Sequence, residues 1–216
     1  MNVLEPWSRP IWVVHGGGDW DGPENTLSAL QKSASLGAEY AEIDLRVTKD
    51  GHVVLIHDET LDRTTSGKGR VNELTCAQIQ RLDAGSWRGL EFRGERVPLL
   101  SEVLAFARIH GLRLMLHVKE PEVCPLLFDL LKKHGMEEKA RVYMRAVDAE
   151  VRKALDLRMG QYQGSLVQPW GYRRGPKIVL DALNDKTKGG ALVGSYTCVL
   201  EAFSDMSTAP NPKPDE

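Results

Sequence analysis

Cysteine is scarce in this chain: three residues in 216, Cys76, Cys124 and Cys198, widely spaced and odd in number. They form neither the disulfide framework of small secreted folds nor a metal-spaced pair, so a reducing, cytoplasmic setting suits them. A surplus of charge is also missing. With a formal net charge of -2, nothing global draws the chain to nucleic acid or an anionic surface. No apolar run approaches the ~20 residues of a membrane span, and MNVLEPWSRP has no charged segment followed by an apolar core, so neither a span nor a signal peptide is expected. No fixed-period repeat suggests a solenoid. The glycine motifs of two other chemistries are incomplete. His15-Gly16-Gly17-Gly18 is similar to an esterase oxyanion-hole segment, but G-x-S-x-G occurs nowhere and AGSWRG at 84–89 has the wrong spacing. Gly67-Lys68-Gly69 lacks the earlier glycine and the Ser or Thr of a phosphate-binding P-loop.

What is present has the composition of an ordinary globular domain, 42% hydrophobic and 27% charged. We expect a single domain over 1–205 and a Pro-rich, charged, disordered tail over 206–216. IWVVH (11–15) reads as a strand and ENTLSALQKSASLG (24–37) as a helix with a glycine stop. EYAEIDLRVT (39–48) and GHVVLIH (51–57) read as two strands about a Lys-Asp-Gly turn. Residues 58–98 are polar and turn-rich and look like an insertion, with a hairpin-like TTSGKGRV and a short helix in LTCAQIQRLD. Regular alternation then resumes. SEVLAFARIHG, PEVCPLLFDLLKKHG and DAEVRKALDLRMG read as helices, LRLMLHV (112–118) and VYMRAV (142–147) as strands. After Gly160 the pattern weakens, with strands suggested in GSLVQPW and ALVGSYTCVL and a helix in PKIVLDALN. This βαβα order predicts an α/β fold with parallel strands. About six strands fall short of the eight that close a (β/α)₈ barrel, so a TIM-barrel-like fold incomplete at its C-terminal end is expected.

Glu42 and Asp44 are two apart on a strand, so their side chains leave the same face. A parallel sheet is covered on both faces, and paired buried carboxylates there call for a cation or hydrogen bonds. A hard metal ion is the economical explanation. His117 and Lys119 repeat the spacing at the end of LMLHVKE, and His57 ends VVLIH in a similar position. Each histidine alone reads as structural. As a set with His15, gathered at or near the carboxyl ends of strands, they read as functional.

The ordered series His15-Gly16, Pro23-Glu24-Asn25-Thr26, Glu39-Tyr40-Ala41-Glu42-Ile43-Asp44, Thr48-Lys49-Asp50-Gly51, His57-Asp58 and Leu61-Asp62-Arg63-Thr64-Thr65 resembles the signature of the glycerophosphodiester phosphodiesterase family. The likeness runs over roughly 11–120 and implies a hydrolase of lipid metabolism on a TIM-barrel-like fold, acting on a small-molecule phosphodiester to give glycerol phosphate and an alcohol. By motif position His15 and His57 are implied as general acid and base, Glu42 and Asp44 as ligands of one divalent ion, magnesium or calcium, and Lys119 as a second positive contact to the phosphate. Asn25 is implied as an active-site or turn-organising polar residue.

Two positions depart from the family. Gly16 stands where an arginine is usual, removing a bidentate phosphate contact, and the Gly16-Gly17-Gly18 run is expected to offer backbone N–H groups in its place. His117 stands where a metal-binding glutamate is usual; an imidazole ligand shifts the expected ion toward manganese or zinc. Glu120 and Glu122 are alternative ligands. These departures keep a second reading open, a catalytically impaired or truncated relative that binds a phosphorylated ligand or serves as an interaction protein. An open barrel edge would also suit a second copy of the chain, a homo-oligomer. Trp20, Trp87 and Trp170 are candidates to line the substrate pocket.

Overall fold

The computed structural model describes residues 11–19 and 22–143, together with the backbone of 165–166 and 197–200. The β-branched and apolar runs form one sheet: β1 (Ile11–Val14), β2 (Tyr40–Val47), β3 (Val53–Leu55), β4 (Arg113–Val118), β5 (Ala140–Tyr143), β6 (Ser165–Leu166) and β7 (Thr197–Leu200). Helices α1 (Leu27–Ser35), α2 (Cys76–Ile79), α3 (Leu100–His110) and α4 (Val123–His134) lie between them. The strand order is β6-β5-β4-β2-β1-β7, with β3 also on β2. Pairings among β1, β2, β4, β5 and β6 are parallel, and β1, β2, β4 and β5 are linked through α1, α3 and α4, as the βαβα pattern predicts. The strand expected in ALVGSYTCVL forms at its end and runs antiparallel on β1. The expected helices at 148–160 and 176–184, positions 144–147, Trp20, Trp170 and the tail at 206–216 lie outside the described residues.

Alternation along β2 decides what each face holds. Ala41, Ile43, Leu45 and Val47 point into a core shared with Leu30 of α1, Leu100, Val103, Leu104 and Ala107 of α3, and Leu127 and Leu131 of α4. The opposite face carries Glu42 and Asp44. In β4 the same period sends Leu114, Leu116 and Val118 to the helix-facing core and leaves His117 on the face of the acids. Helices α3 and α4 end at Gly111 and Gly135, both left-handed, as helix C-terminal glycines commonly are.

β3 returns antiparallel along the upper half of β2, with Leu45 opposite Leu55 and Val47 opposite Val53. It therefore runs against the parallel strands. His57 follows the carboxyl end of β3 as expected, but because that strand is antiparallel to β2 the hairpin brings it back to the level of Asp44, where Ile56 N donates to the Asp44 carbonyl. The segment 58–98 leaves and rejoins beside β3, since Leu55 N donates to the Pro98 carbonyl. It has its own small core of Val54, Ile56, Leu61, Val71, Ile79, Ala84 and Val97. Within it α2 opens on a capping box between Thr75 and Gln78.

Candidate active site

Parallel register brings the acids of β2 to the imidazole of β4. Asp44 is the register partner of His117, and Asp44 Oδ1 lies 3.0 Å from His117 Nδ1 and 2.9 Å from Lys119 Nζ. Glu42 Oε1 lies 3.7 Å from the same Nδ1. Glu42, Asp44 and His117 are all buried, and one ligand atom from each falls within 4.8 Å of the others. Two carboxylates and an imidazole at that spacing fit a single divalent ion, and Lys119 offsets one of the two negative charges. Glu120 is drawn away, as the alternation on β4 requires: it accepts from Arg46 Nη1 at 3.1 Å and from Val47 N at 2.6 Å. Glu122 stands at the start of α4. The alternative ligands are thus committed elsewhere or outside the cluster.

Asn25 holds Asp44 from both sides, donating from Nδ2 to Oδ2 at 2.9 Å and accepting at Oδ1 from Asp44 N at 2.9 Å. Its φ of 58° places it in the left-handed region that asparagine tolerates better than most residues. Burial pushes the Asp44 carboxyl up, but hydrogen bonds from His117 and Asn25 and the Lys119 charge outweigh it and hold the group well below the usual carboxylate range. For His117 burial dominates and lowers its pKa, keeping the imidazole in the neutral form that can ligate a metal.

His15 follows directly on β1 in a turn of glycines. Its Nδ1 lies 2.9 Å from Asp19 Oδ2 and its Nε2 3.9 Å from Glu42 Oε2. The Asp19 hydrogen bond, opposed by burial and aided by Glu42, raises its pKa to about 9. Gly16, expected to offer its N–H to the phosphate, donates it instead to Glu42 Oε2 at 3.0 Å, and its carbonyl accepts from Asn25 N at 2.7 Å. Gly18 N–H goes to the His15 carbonyl. The expected cradle of free glycine N–H groups is therefore corrected at two of its three positions, because Gly16 donates to the Glu42 side chain and Gly18 closes the turn.

His57 is half exposed, with Nδ1 2.7 Å from Asp58 Oδ1. Arg63 ties Asp58 to Glu24 through bonds of 2.6 to 3.1 Å. His57 lines a shallow pocket with Asn25 and Thr64. Both histidines thus present Nδ1 to an aspartate. Sequence reasoning gave no role to Asp19, Glu24, Asp58 or Arg63. Asp58 was signalled by adjacency to His57; Asp19 follows a glycine run, which has no period from which a side-chain direction can be read. Trp87 gives its Nε1–H to the Ala84 carbonyl within the segment 58–98 and is 40% exposed.

The chain is similar to known phosphodiesterases. Residues 15–123 match the Glycerophosphoryl diester phosphodiesterase family. A glycerophosphodiester phosphodiesterase of Caldanaerobacter subterraneus subsp. tengcongensis is 37% identical over 173 residues, 75% of this chain and 70% of that protein. Glycerophosphodiester phosphodiesterase 1 of Bos taurus is 43% identical over 121 residues, 55% of this chain but 37% of the relative. Among solved structures, a glycerophosphodiester phosphodiesterase of Agrobacterium tumefaciens superposes with a TM-score of 0.64 at 32% identity, covering 70% of this chain and 64% of that one. An Oleispira antarctica phosphodiesterase solved with the product sn-glycerol-3-phosphate gives 0.65 at 26% identity, covering 80% and 71%. The class is that of phosphoric diester hydrolases on an α/β, TIM-barrel-like fold. This chain belongs to the glycerophosphoryl diester phosphodiesterase family.

Proposed function

We propose that this chain hydrolyses a glycerophosphodiester to glycerol phosphate and an alcohol. The carrying observation is the convergence of the Glu42, Asp44 and His117 cluster with His15, whose Nε2 points to the Glu42 side of it. In this reading His15 and His57 divide the proton work: one takes the proton of the attacking oxygen, the other gives one to the departing alkoxide as its bond to phosphorus breaks. Lys119 adds positive charge beside the phosphate, and Asn25 keeps Asp44 aimed into the cluster. Gly16 contributes at the substrate-binding edge through its backbone, by holding Glu42 and Asn25 in place.

Glu42, Asp44 and His117 would hold one divalent ion, whose charge would offset that of the phosphate oxygens. The nitrogen ligand and the single net negative charge left by Lys119 favour manganese or zinc over magnesium or calcium. Free, buried Cys76 and Cys124 suit a cytoplasmic setting, and no helix among the described residues is long and apolar enough to cross a membrane. A homo-oligomer is our proposal for the assembly, checked by sedimentation.

The test is release of alcohol from a panel of glycerophosphodiesters by the purified chain, metal-free and then with magnesium, calcium, manganese or zinc, with His15→Ala as control. Metal-dependent turnover lost in His15→Ala upholds the hydrolase. A well-folded chain inert with every metal would instead make it an impaired relative that binds a phosphorylated ligand, the reading that Gly16 and His117 favour.

A further inference from the structure

Gly16, Gly17 and Gly18 all have positive φ, 54°, 73° and 124°, a run that other residues resist. Gly18 N and Asp19 N both donate to the His15 carbonyl, at 2.8 and 3.2 Å, so the chain curls tightly back on the histidine that begins it. The curl also leaves no room for side chains. A Cβ at Gly17 would stand 3.3 Å from Leu30, and one at Gly18 would overlap the Ser33 hydroxyl, which donates to the Gly17 carbonyl at 2.8 Å. Three positive-φ conformations that glycine readily adopts bring one side chain to the site: Asp19, with Oδ2 2.9 Å from His15 Nδ1.

An imidazole nitrogen bonded to an ionised carboxylate carries the hydrogen. Nδ1 is therefore the protonated nitrogen of the neutral ring, and Nε2, the nitrogen on the Glu42 side, is left for proton exchange. We propose that Asp19 is a positioning residue for His15, fixing the orientation and the tautomer of its ring so that Nε2 faces the reacting phosphate. The inference rests on the hydrolase reading for its catalytic consequence; the pair itself stands on geometry. In hydrolase triads the corresponding amide substitution lowers kcat by roughly 10⁴-fold because the wrong tautomer is selected. His15 is partly exposed and its partner bond is local, so a smaller loss is expected here.

The experiment compares Asp19→Asn, which keeps size and shape, with wild type as the full chain, and adds Asp19→Ala as a second variant. With a divalent metal present and glycerophosphoethanolamine or bis(p-nitrophenyl) phosphate as substrate, kcat should fall at least about tenfold while KM changes less than about twofold and Tm stays as in wild type. Ring ¹⁵N spectra of His15, taken where the ring is neutral, should show the hydrogen on Nδ1 in wild type and on Nε2 in both variants. A wild-type ring protonated at Nε2, or an Asp19→Asn chain with unchanged ring spectrum and unchanged kcat, overturns the proposal. Wild type inert toward every diester would sink the hydrolase reading alone; the ring spectra would still decide for or against Asp19.

Discussion

Asp44 Oδ1 is shared by two cations or potential cations, lying 2.9 Å from Lys119 Nζ and 3.0 Å from His117 Nδ1. His117 lies on β4, opposite Asp44 in register, and Lys119 directly follows the strand two residues on. The carboxylate pair is thus partly compensated from within the protein, and in the proposed reading the side chain at position 117 sets which ion the cluster would attract.

His117→Glu adds a negative charge and an oxygen ligand at that point. Affinity for magnesium or calcium should rise at least about tenfold while affinity for zinc falls, because hard cations favour carboxylate and borderline ions favour imidazole. Titration calorimetry on the metal-stripped chain reads both; unchanged selectivity would show that position 117 does not ligate the ion.

Asn25 makes two buried hydrogen bonds to Asp44. Asn25→Ala removes both and puts a Cβ-bearing residue without a local polar group at a φ of 58°, costing on the order of 2–4 kcal/mol. Asn25→Gly loses the same bonds but relieves the backbone, so it should recover about 1 kcal/mol. Urea unfolding of the three chains separates the two contributions, and turnover should fall in both variants.

Arg63, by hydrogen bond first, and His57 after it, hold the Asp58 carboxyl at about 2 from an ordinary 3.8. A depressed carboxyl stabilises the fold above its unfolded pKa, and that contribution is lost as pH falls from 3.8 toward about 2. Arg63→Gln should therefore raise the Asp58 titration midpoint toward 3.8, followed by carboxyl ¹³C shifts. The same variant should loosen His57, whose Nδ1 partner is that carboxylate.

Restoring the arginine of the family at position 16 is not a neutral change in this chain. Gly16 has a φ of 54°, and a Cβ there meets the Cβ atoms of Asp19 and Glu24, each at 3.3 Å. Gly16→Arg should lower stability by about 1–2 kcal/mol and draw Asp19 toward the new guanidinium, away from His15. Gly16→Ala gives the backbone share alone. A Tm for Gly16→Arg equal to wild type would show that the turn adapts freely.

The βα units were readable because alternation in EYAEIDLRV and LRLMLHV and the glycine stops at 111 and 135 are local signals, and each became the element expected. The cluster was readable for the same reason: Glu42 and Asp44 share a face by period two, as His117 and Lys119 do. Register is not local. That Asp44 rather than Glu42 lies opposite His117 depends on how two strands 73 residues apart align. The Lys49-Asp50-Gly51 turn left open whether the two strands pair or extend the sheet, and the antiparallel run of β3 along β2, which sets the level of His57, is settled by tertiary contacts. β5 begins at Ala140, two residues before the apolar run that marked it, because backbone pairing with Leu114 extends it. The glycine run was legible as a turn but not as the device that carries Asp19 under His15.

β2 pairs with β4 over Tyr40–Leu45 on one edge, and on the other with β1 at Tyr40 and Ala41 and with β3 over Leu45–Val47. Solvent therefore reaches its amides only when neighbouring strands part together. In hydrogen exchange Ile43 and Leu45 should be among the slowest positions of the chain, opening near the free energy of global unfolding. The carboxylates of Glu42 and Asp44 inherit that persistence: they stand ready before any ligand arrives, and binding need spend little on ordering them.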